Sequence, residues 1–274
     1  MTSTDSIEAA VHCAAPPPAE PAFGSEEFDG HGIPRELHWQ VAWSGHKERV
    51  RELIAEHQPA RVCEIGGGRS PLFSPDELAR LGVAEYTILD ISDEELALAP
   101  SGYQTVCGDI CDPALARAGS RFDLMFSQMV AEHVEDGDRM HRNVLSLLAP
   151  GGIAFHFMPT LYYPVFAANG LLPPRVSNWA LRRFADRPFP KFPARYSKCF
   201  GPTPAMHAYL DRVGYEVVEY RPFYGSIYFD RLPVIRTVER ALSRRAAQRR
   251  SPHFTSFTYL IVRKPSAASG RTRG

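Results

Sequence analysis

Three carboxylates and a run of glycines are the residues of this 274-residue chain best suited to hold a ligand. In Glu64-Ile65-Gly66-Gly67-Gly68-Arg69-Ser70 an acid stands just ahead of three glycines. Glycines adopt positive φ and let a backbone approach a ligand closely. A dinucleotide-binding turn needs the pattern G-x-G-x-x-G, whose amides face a pyrophosphate. Here Gly66 and Gly68 are followed by Arg69, Ser70 and Pro71, so the third glycine is missing. Glu64 would face a pyrophosphate poorly and would suit a cationic amino-acid group. The plain alternative for the loop is a tight strand-to-helix turn. Asp90 follows Glu64 by 26 residues. A carboxylate there accepts both hydroxyls of a ribose, as it also does in nicotinamide-cofactor sites. Asp109, followed by Ile110, can bind an adenine amino group and pack an apolar side chain on the ring. An Asp in that setting also ends turns and caps helices. Taken together, the three acids fit a ligand with an adenosine and a positively charged amino-acid tail.

The elements around these residues alternate. A helical spacing of Trp39, Val41, Ala42, Val50, Leu53 and Ile54 covers about 35–57 and stops before Pro59. Short apolar strands are expected at 61–65, 86–90, 103–107, 122–126 and 153–157. Helices are expected between them at 75–82, 92–98, from Asp112-Pro113, and at 137–148. Ser92 is a fitting cap ahead of three acids, and Pro113 suits a first helical position. Met140, Val144, Leu145, Leu147 and Leu148 form the core side of the fourth helix, and Pro150-Gly151-Gly152 makes a turn. A further helix runs from Thr203-Pro204 to Val213. Strands follow at 215–220 and 255–262, with a basic helix at 233–250 between them. Strands alternating with helices build a parallel sheet with helices on both faces. Glu64, Asp90 and Asp109 then all stand at carboxyl ends of strands, where open α/β sheets bind ligands.

At this point the sequence resembles a family. Val62-Cys-Glu-Ile-Gly-Gly-Gly68, Ile88-Leu-Asp90, Gly108-Asp109-Ile110, Phe122-Asp-Leu-Met-Phe-Ser127, Glu132-His133-Val134 and Leu148-Ala-Pro-Gly-Gly152 are similar, in order and spacing, to class I S-adenosylmethionine-dependent methyltransferases. The likeness covers about residues 60–157, and the later helix and strands fit the family's last two strands. It implies an α/β, Rossmann-like, doubly wound, seven-stranded and mostly parallel sheet in the order 3-2-1-4-5-7-6, with an inserted cap. It implies S-adenosyl-L-methionine as cofactor, held by Glu64, Gly66, Gly67, Gly68, Asp90, Asp109, Ile110, Ser127 and Gln128. Methyl transfer to a hydroxyl also calls for a base of pKa near the working pH, and histidine is the side chain closest to that. His133, just beyond strand four, is the candidate; its other reading is a histidine that bonds or caps the next helix. His156 reads as a core histidine with one satisfied nitrogen. Tyr162, Tyr163, Tyr196 and His207 either line an acceptor pocket or pack. Some relatives bind a metal through Glu-x-x-Glu-His. Here the first of those positions is Met129, so no metal is expected. The expected activity is O-methylation of a small molecule or of a sugar or glycan hydroxyl. A nicotinamide-type oxidoreductase and a cofactor-binding protein without catalysis are the alternatives.

Composition bounds the rest. Thirty-one basic residues balance thirty-one acidic ones, so overall charge argues for neither nucleic acid nor membrane as a partner. The balance hides an asymmetry. Residues 1–34 carry six acids and no Lys or Arg, whereas 231–274 carry eleven Lys or Arg and one acid, Glu239. Residues 1–30 are rich in Ala, Pro, Glu and Ser and read as a disordered arm. The methyltransferase domain is expected over 31–264, with an aromatic, proline-rich cap at 158–200 and a flexible tail at 265–274. The basic segment 236–250, with Val238, Ala241 and Leu242 as an apolar side, reads as a solvated face, or as a contact for an anionic substrate or a membrane surface. Nucleic acid is disfavoured because no RNA-binding motif accompanies it. A homodimer is compatible with the composition. The five cysteines form no CxxC pair, and Cys63 and Cys107 read as small core residues. The start carries no basic and apolar leader pattern, and no run approaches the ~18 apolar residues of a membrane span. A cytoplasmic protein is the expectation.

Overall fold

In a computed structural model of the protein, residues 32–117, 122–161, 163, 194–227, 229 and 233–266 are described. The expected arm, most of the cap, Tyr162 and most of the tail lie outside them. Seven strands form one sheet: β1 (Arg61–Ile65), β2 (Glu85–Asp90), β3 (Gln104–Cys107), β4 (Phe122–Gln128), β5 (Leu148–Pro159), β6 (Glu216–Phe223) and β7 (Phe257–Arg263). Their order is β3-β2-β1-β4-β5-β7-β6. The first five pair in parallel, and β7 runs antiparallel to both β5 and β6. The strand order reverses between β1 and β4, which opens a crevice at their carboxyl ends.

The described helices are α1 (Trp39–His57), α2 (Pro75–Arg80), α3 (Asp93–Ala97), α4 (Pro113–Arg117), α5 (Gly137–Leu147), α6 (Pro204–Val213) and α7 (Pro233–Gln248). Local chemistry sets their ends. Ser74, Ser92, Asp136 and Thr203 each accept a hydrogen bond from a first-turn amide, satisfying a donor that the helix leaves unpaired. Gly214 ends α6 at φ +106°, a backbone state that costs glycine little. The core lies between the helices and the central strands. Val62, Ile88, Leu124, Phe126, Phe155 and Leu260 are all fully or almost fully buried.

Two expectations change, and a third reading is sharpened. Cys107 is exposed, because β3 is an edge strand with no neighbour on its outer side and all four of its residues exposed. Cys63, on central β1, is buried as expected. The Pro150-Gly151-Gly152 turn is drawn into β5 as an irregularity opposite Phe122 and Leu124, and the Gly151 amide bonds Lys264 O at 2.8 Å. The apolar side of α7 is not its packed side. Glu239, Ser243, Ala246 and Ala247 are buried, while Val238 and Leu242 are exposed.

Candidate active site

The glycine loop is shaped by contacts that leave no room for side chains. Gly66 has φ +80° and donates its amide to Leu89 O at 2.7 Å, tying the end of β1 to β2. A Cβ on Gly66 would lie 2.4 Å from Val130 Cγ2. One on Gly67 would lie 2.8 Å from the Glu64 carboxyl carbon, and one on Gly68, at φ +44°, would lie 3.2 Å from Asp90 Oδ2. Gly66→Ala is therefore expected to cost about 2 kcal/mol of stability, from positive φ and from displacing Val130. A denaturant titration checks this, and an unchanged midpoint would contradict the geometry.

Glu64 is buried beneath this loop. Its carboxylate accepts from Tyr86 Oη at 2.5 Å and from the Leu72 amide at 3.1 Å. Burial pushes its pKa up to about 7, against the lowering effect of these two bonds, and the nearby Asp90 charge adds to the rise. Asp90 ends β2, and its Oδ1 accepts from the Ser92 amide at 2.9 Å. Its Oδ2 is the atom that faces Gly68. Asp109 follows β3 and spends Oδ1 on the Cys111 amide at 2.8 Å. Asp90 and Asp109 thus each use one oxygen to hold the local turn and keep a second for a ligand. Ile110 is buried.

Ser127 and Gln128 close β4 beside the crevice. The Ser127 hydroxyl is buried against His156 Nδ1 at 2.8 Å, so what it offers outward is backbone. His156 is fully buried with Nε2 making no hydrogen bond within the protein, the one-satisfied-nitrogen state expected of it. The chain then turns sharply at Met129, φ +55°, whose amide bonds Phe157 O at 2.8 Å. Val130 lies over Gly66, and buried Glu132 places Oε1 3.6 Å from Nε2 of half-buried His133. Leu161 and residues 195–199 close around this turn. Leu161 N bonds Cys199 O at 2.8 Å, and the amides of Arg195 and Tyr196 both bond Glu132 O at 2.6 and 3.0 Å.

Tyr163 is buried, with its hydroxyl bonded to Ser226 and Glu239, and Tyr196 is buried at φ +52°. His207 lies on α6 against the Tyr220 ring. The structure thus gathers Glu64, Gly66–Gly68, Asp90, Asp109, Gln128 and His133 at one end of the sheet and leaves His207 on a packing helix. Among the described residues no grouping of three or more His, Cys, Asp or Glu is suited to a metal.

Several residues of the site escape sequence reasoning. Arg69 forms a two-pronged pair with Glu95, Nε and Nη2 each at 2.5 Å, which clamps the glycine loop to α3. Asn143 donates to Ile110 O at 2.7 Å and Asp112 O at 3.0 Å, fixing the turn that carries Asp109. The one signal for Asn143 is an amide on the apolar side of a helix. Tyr86, which holds Glu64, looks like any strand aromatic.

The sheet order, the reversal beside β1 and the acid-and-glycine strand ends define a Rossmann-like methyltransferase fold. Residues 64–156 match the family model described as "Methyltransferase domain". An S-adenosylmethionine-dependent methyltransferase from Archaeoglobus fulgidus shares the fold, with a TM-score of 0.50 at 17% identity over 81% of this chain and 94% of that one. Two proteins named ubiquinone biosynthesis O-methyltransferase are similar in sequence. The one from Sinorhizobium medicae (strain WSM419) is 31% identical over 45% of this chain and 57% of its own length. The one from Ruegeria pomeroyi (strain ATCC 700808 / DSM 15171 / DSS-3) is 33% identical over 48% of this chain and 58% of its own. The chain thus spans a little over half the length of these curated relatives. Residues 64–156 are thus similar to a methyltransferase domain, and the sheet around them has the strand order of class I S-adenosylmethionine-dependent methyltransferases. The family's cofactor fits the donor set: a side-chain-free turn, a buried acid beneath it, and two strand-end carboxylates each with an oxygen to spare.

Proposed function

We propose that the protein transfers a methyl group from S-adenosyl-L-methionine to a hydroxyl of a small molecule. The observation that carries this is the set of Glu64, Asp90 and Asp109 around Gly66–Gly68 at the strand reversal, within the segment that matches the methyltransferase model. In this reading Asp90 takes the ribose hydroxyls and Asp109 the adenine amino group, with Ile110 behind the ring. The amides of Gly66–Gly68 and the backbone of Ser127 and Gln128 line the cofactor, and Glu64 supplies negative charge beneath its cationic amino-acid end. The bound cofactor supplies an electrophilic methyl on a sulfonium. The chain's own part is to position the acceptor in line with it and to take a proton, and positioning accounts for much of the rate. His133 would accept the hydroxyl proton as the acceptor oxygen takes the methyl and the carbon–sulfur bond breaks, its electron pair staying on sulfur, and Glu132 beside it favours the imidazolium that results. In this reading residues 160–161 and 194–200, which meet at the same turn, lie on the acceptor side.

The names of the sequence relatives favour a phenolic hydroxyl of a quinone precursor over a sugar hydroxyl. The chemistry agrees, since a phenol of pKa about 10 gives its proton to histidine more readily than a sugar alcohol does. Calorimetric titration with S-adenosylhomocysteine and with NADH tests the cofactor. Binding of NADH alone would reinstate the oxidoreductase reading. Methyl-labelled turnover on catechols and on sugars then tests the acceptor, and transfer to sugars alone would restore the carbohydrate expectation. His133→Ala is expected to lower kcat by about 10²- to 10⁴-fold with S-adenosylhomocysteine affinity unchanged. Full activity of that variant would leave His133 a structural residue.

A further inference from the structure

Helix α7 presents to solvent what a helix ordinarily buries. Val234, Ile235, Val238 and Leu242 are 77%, 47%, 56% and 47% exposed. At 100° per residue they share an arc of about 100° on one side of the helix. Arg245 and Arg249 continue the same arc past the apolar part; both are exposed, and the Arg249 amide still bonds Arg245 O in helical fashion at 3.2 Å. The helix is held from another side. Its buried positions are Glu239, Ser243, Ala246 and Ala247. Glu239 accepts from Tyr163 Oη at 2.7 Å and from Ser243 Oγ at 2.6 Å.

This arrangement fixes the chemistry of a partner. Glu239 is the sole acid between residues 233 and 250, and it is turned inward. The outward surface is therefore apolar and cationic, with no acid on it. A row of four exposed apolar side chains on one helix stripe, continued by arginines, matches a surface that is apolar below and anionic above. A nucleic acid would use the arginines and leave the valines wet. Position adds to this. Phe223 at the end of β6 and Pro159 at the end of β5 both pair with Phe257 at the start of β7, so α7 leaves and re-enters the sheet at the ligand-facing edge. Ile227, in the segment after β6, is also 56% exposed. No described helix is long and apolar enough to cross a membrane, so contact of this kind is with a surface.

We infer that α7 docks the protein on an anionic lipid bilayer, with Val234, Ile235, Val238 and Leu242 at the acyl boundary and Arg245 and Arg249 at the headgroups. The inference stands apart from the methyl-transfer reading, since it uses no residue of the cofactor site.

Co-sedimentation of the full chain with vesicles tests it. Vesicles of phosphatidylcholine containing phosphatidylglycerol are expected to bind the protein, and vesicles of phosphatidylcholine alone to leave it in the supernatant. The double variant Arg245→Ala/Arg249→Ala is expected to weaken partitioning about 30-fold, at ~1 kcal/mol per basic residue near an anionic surface. Val238→Ser/Leu242→Ser is expected to weaken it about tenfold or more, with melting temperature and S-adenosylhomocysteine binding unchanged. The proposal falls if neither vesicle binds. It falls if the serine variant binds as well as the parent and an RNA oligonucleotide competes, because the helix would then be a polyanion site. It also falls if light scattering finds a dimer that the serine variant dissociates, because the stripe would then join two copies.

Discussion

Glu64→Gln is expected to weaken binding of S-adenosylhomocysteine by about 30- to 100-fold while the fold stays intact. Glutamine keeps an oxygen for the Leu72 amide and a polar partner for Tyr86, so the brace under the loop survives. What it removes is the charge, and a hydrogen bond to a charged group contributes about 1.5–3 kcal/mol. Glu64→Ala goes further. It strands the buried Tyr86 hydroxyl and the Leu72 amide, at about 1–3 kcal/mol each, and loosens the turn beneath Gly67. The raised pKa adds a second readout. With Glu64 near 7 in the free protein, about three-quarters of the molecules carry a proton there at pH 6.5. A cationic ligand that draws the group to its ionised form releases that proton. Titrations in buffers of different ionisation enthalpy are expected to report it for the parent and not for Glu64→Gln. Parent-like affinity in the Gln variant would leave Glu64 as a brace alone.

The second large effect is acid sensitivity. Burial lowers the pKa of His46 and His141 to about 3 and of His156 to about 4. Unfolded histidines titrate near 6.5, so below that pH the unfolded chain binds protons that the folded chain refuses. Their contribution is complete above pH 6.5 and falls as pH drops toward the folded values. At pH 5 each costs about 2 kcal/mol relative to pH 8, or about 6 for the three. Glu64 works the other way. Its folded pKa lies above its unfolded one, so stability rises as pH falls from about 7 toward 4.5, by about 3 kcal/mol at pH 5. The net expectation is a loss of about 3 kcal/mol between pH 8 and pH 5, a large share of an ordinary domain's 5–15. Urea titrations across that range check it. His141 makes no hydrogen bond through either ring nitrogen and packs against the rings of His156, Tyr209 and Tyr215. His141→Phe is therefore expected to recover about 2 kcal/mol at pH 5. Flat stability from pH 8 to pH 5 would show that these histidines reach solvent.

The sequence by itself determined the alternation of strands and helices, and with it the sheet. Five apolar runs separated by amphipathic segments leave few topologies once crossovers are right-handed. The order of the seven strands came from the family resemblance and is the one the sheet has, and Ser92 and Thr203 cap where their helices begin. The positions of the three acids were legible for the same reason: a residue at the carboxyl end of a parallel strand has one address in the fold. Glu64, Asp90 and Asp109 needed no knowledge of distant neighbours.

Only the tertiary structure decided what depends on contacts far apart in the chain. Arg69 and Glu95 are a pair because β1 and β2 lie side by side, and Asn143 is a clamp because α5 crosses the turn after β3. Burial of Glu64 against Tyr86 sets its proton affinity, and no count of acids carries that. Cys107 and α7 make the same point from outside. The apolar run at 103–107 reads as core, but β3 is an edge; and α7 anchors through Glu239, so that its valines are the exposed side. Periodicity tells which side chains share a face; which face meets the core is a property of the neighbours.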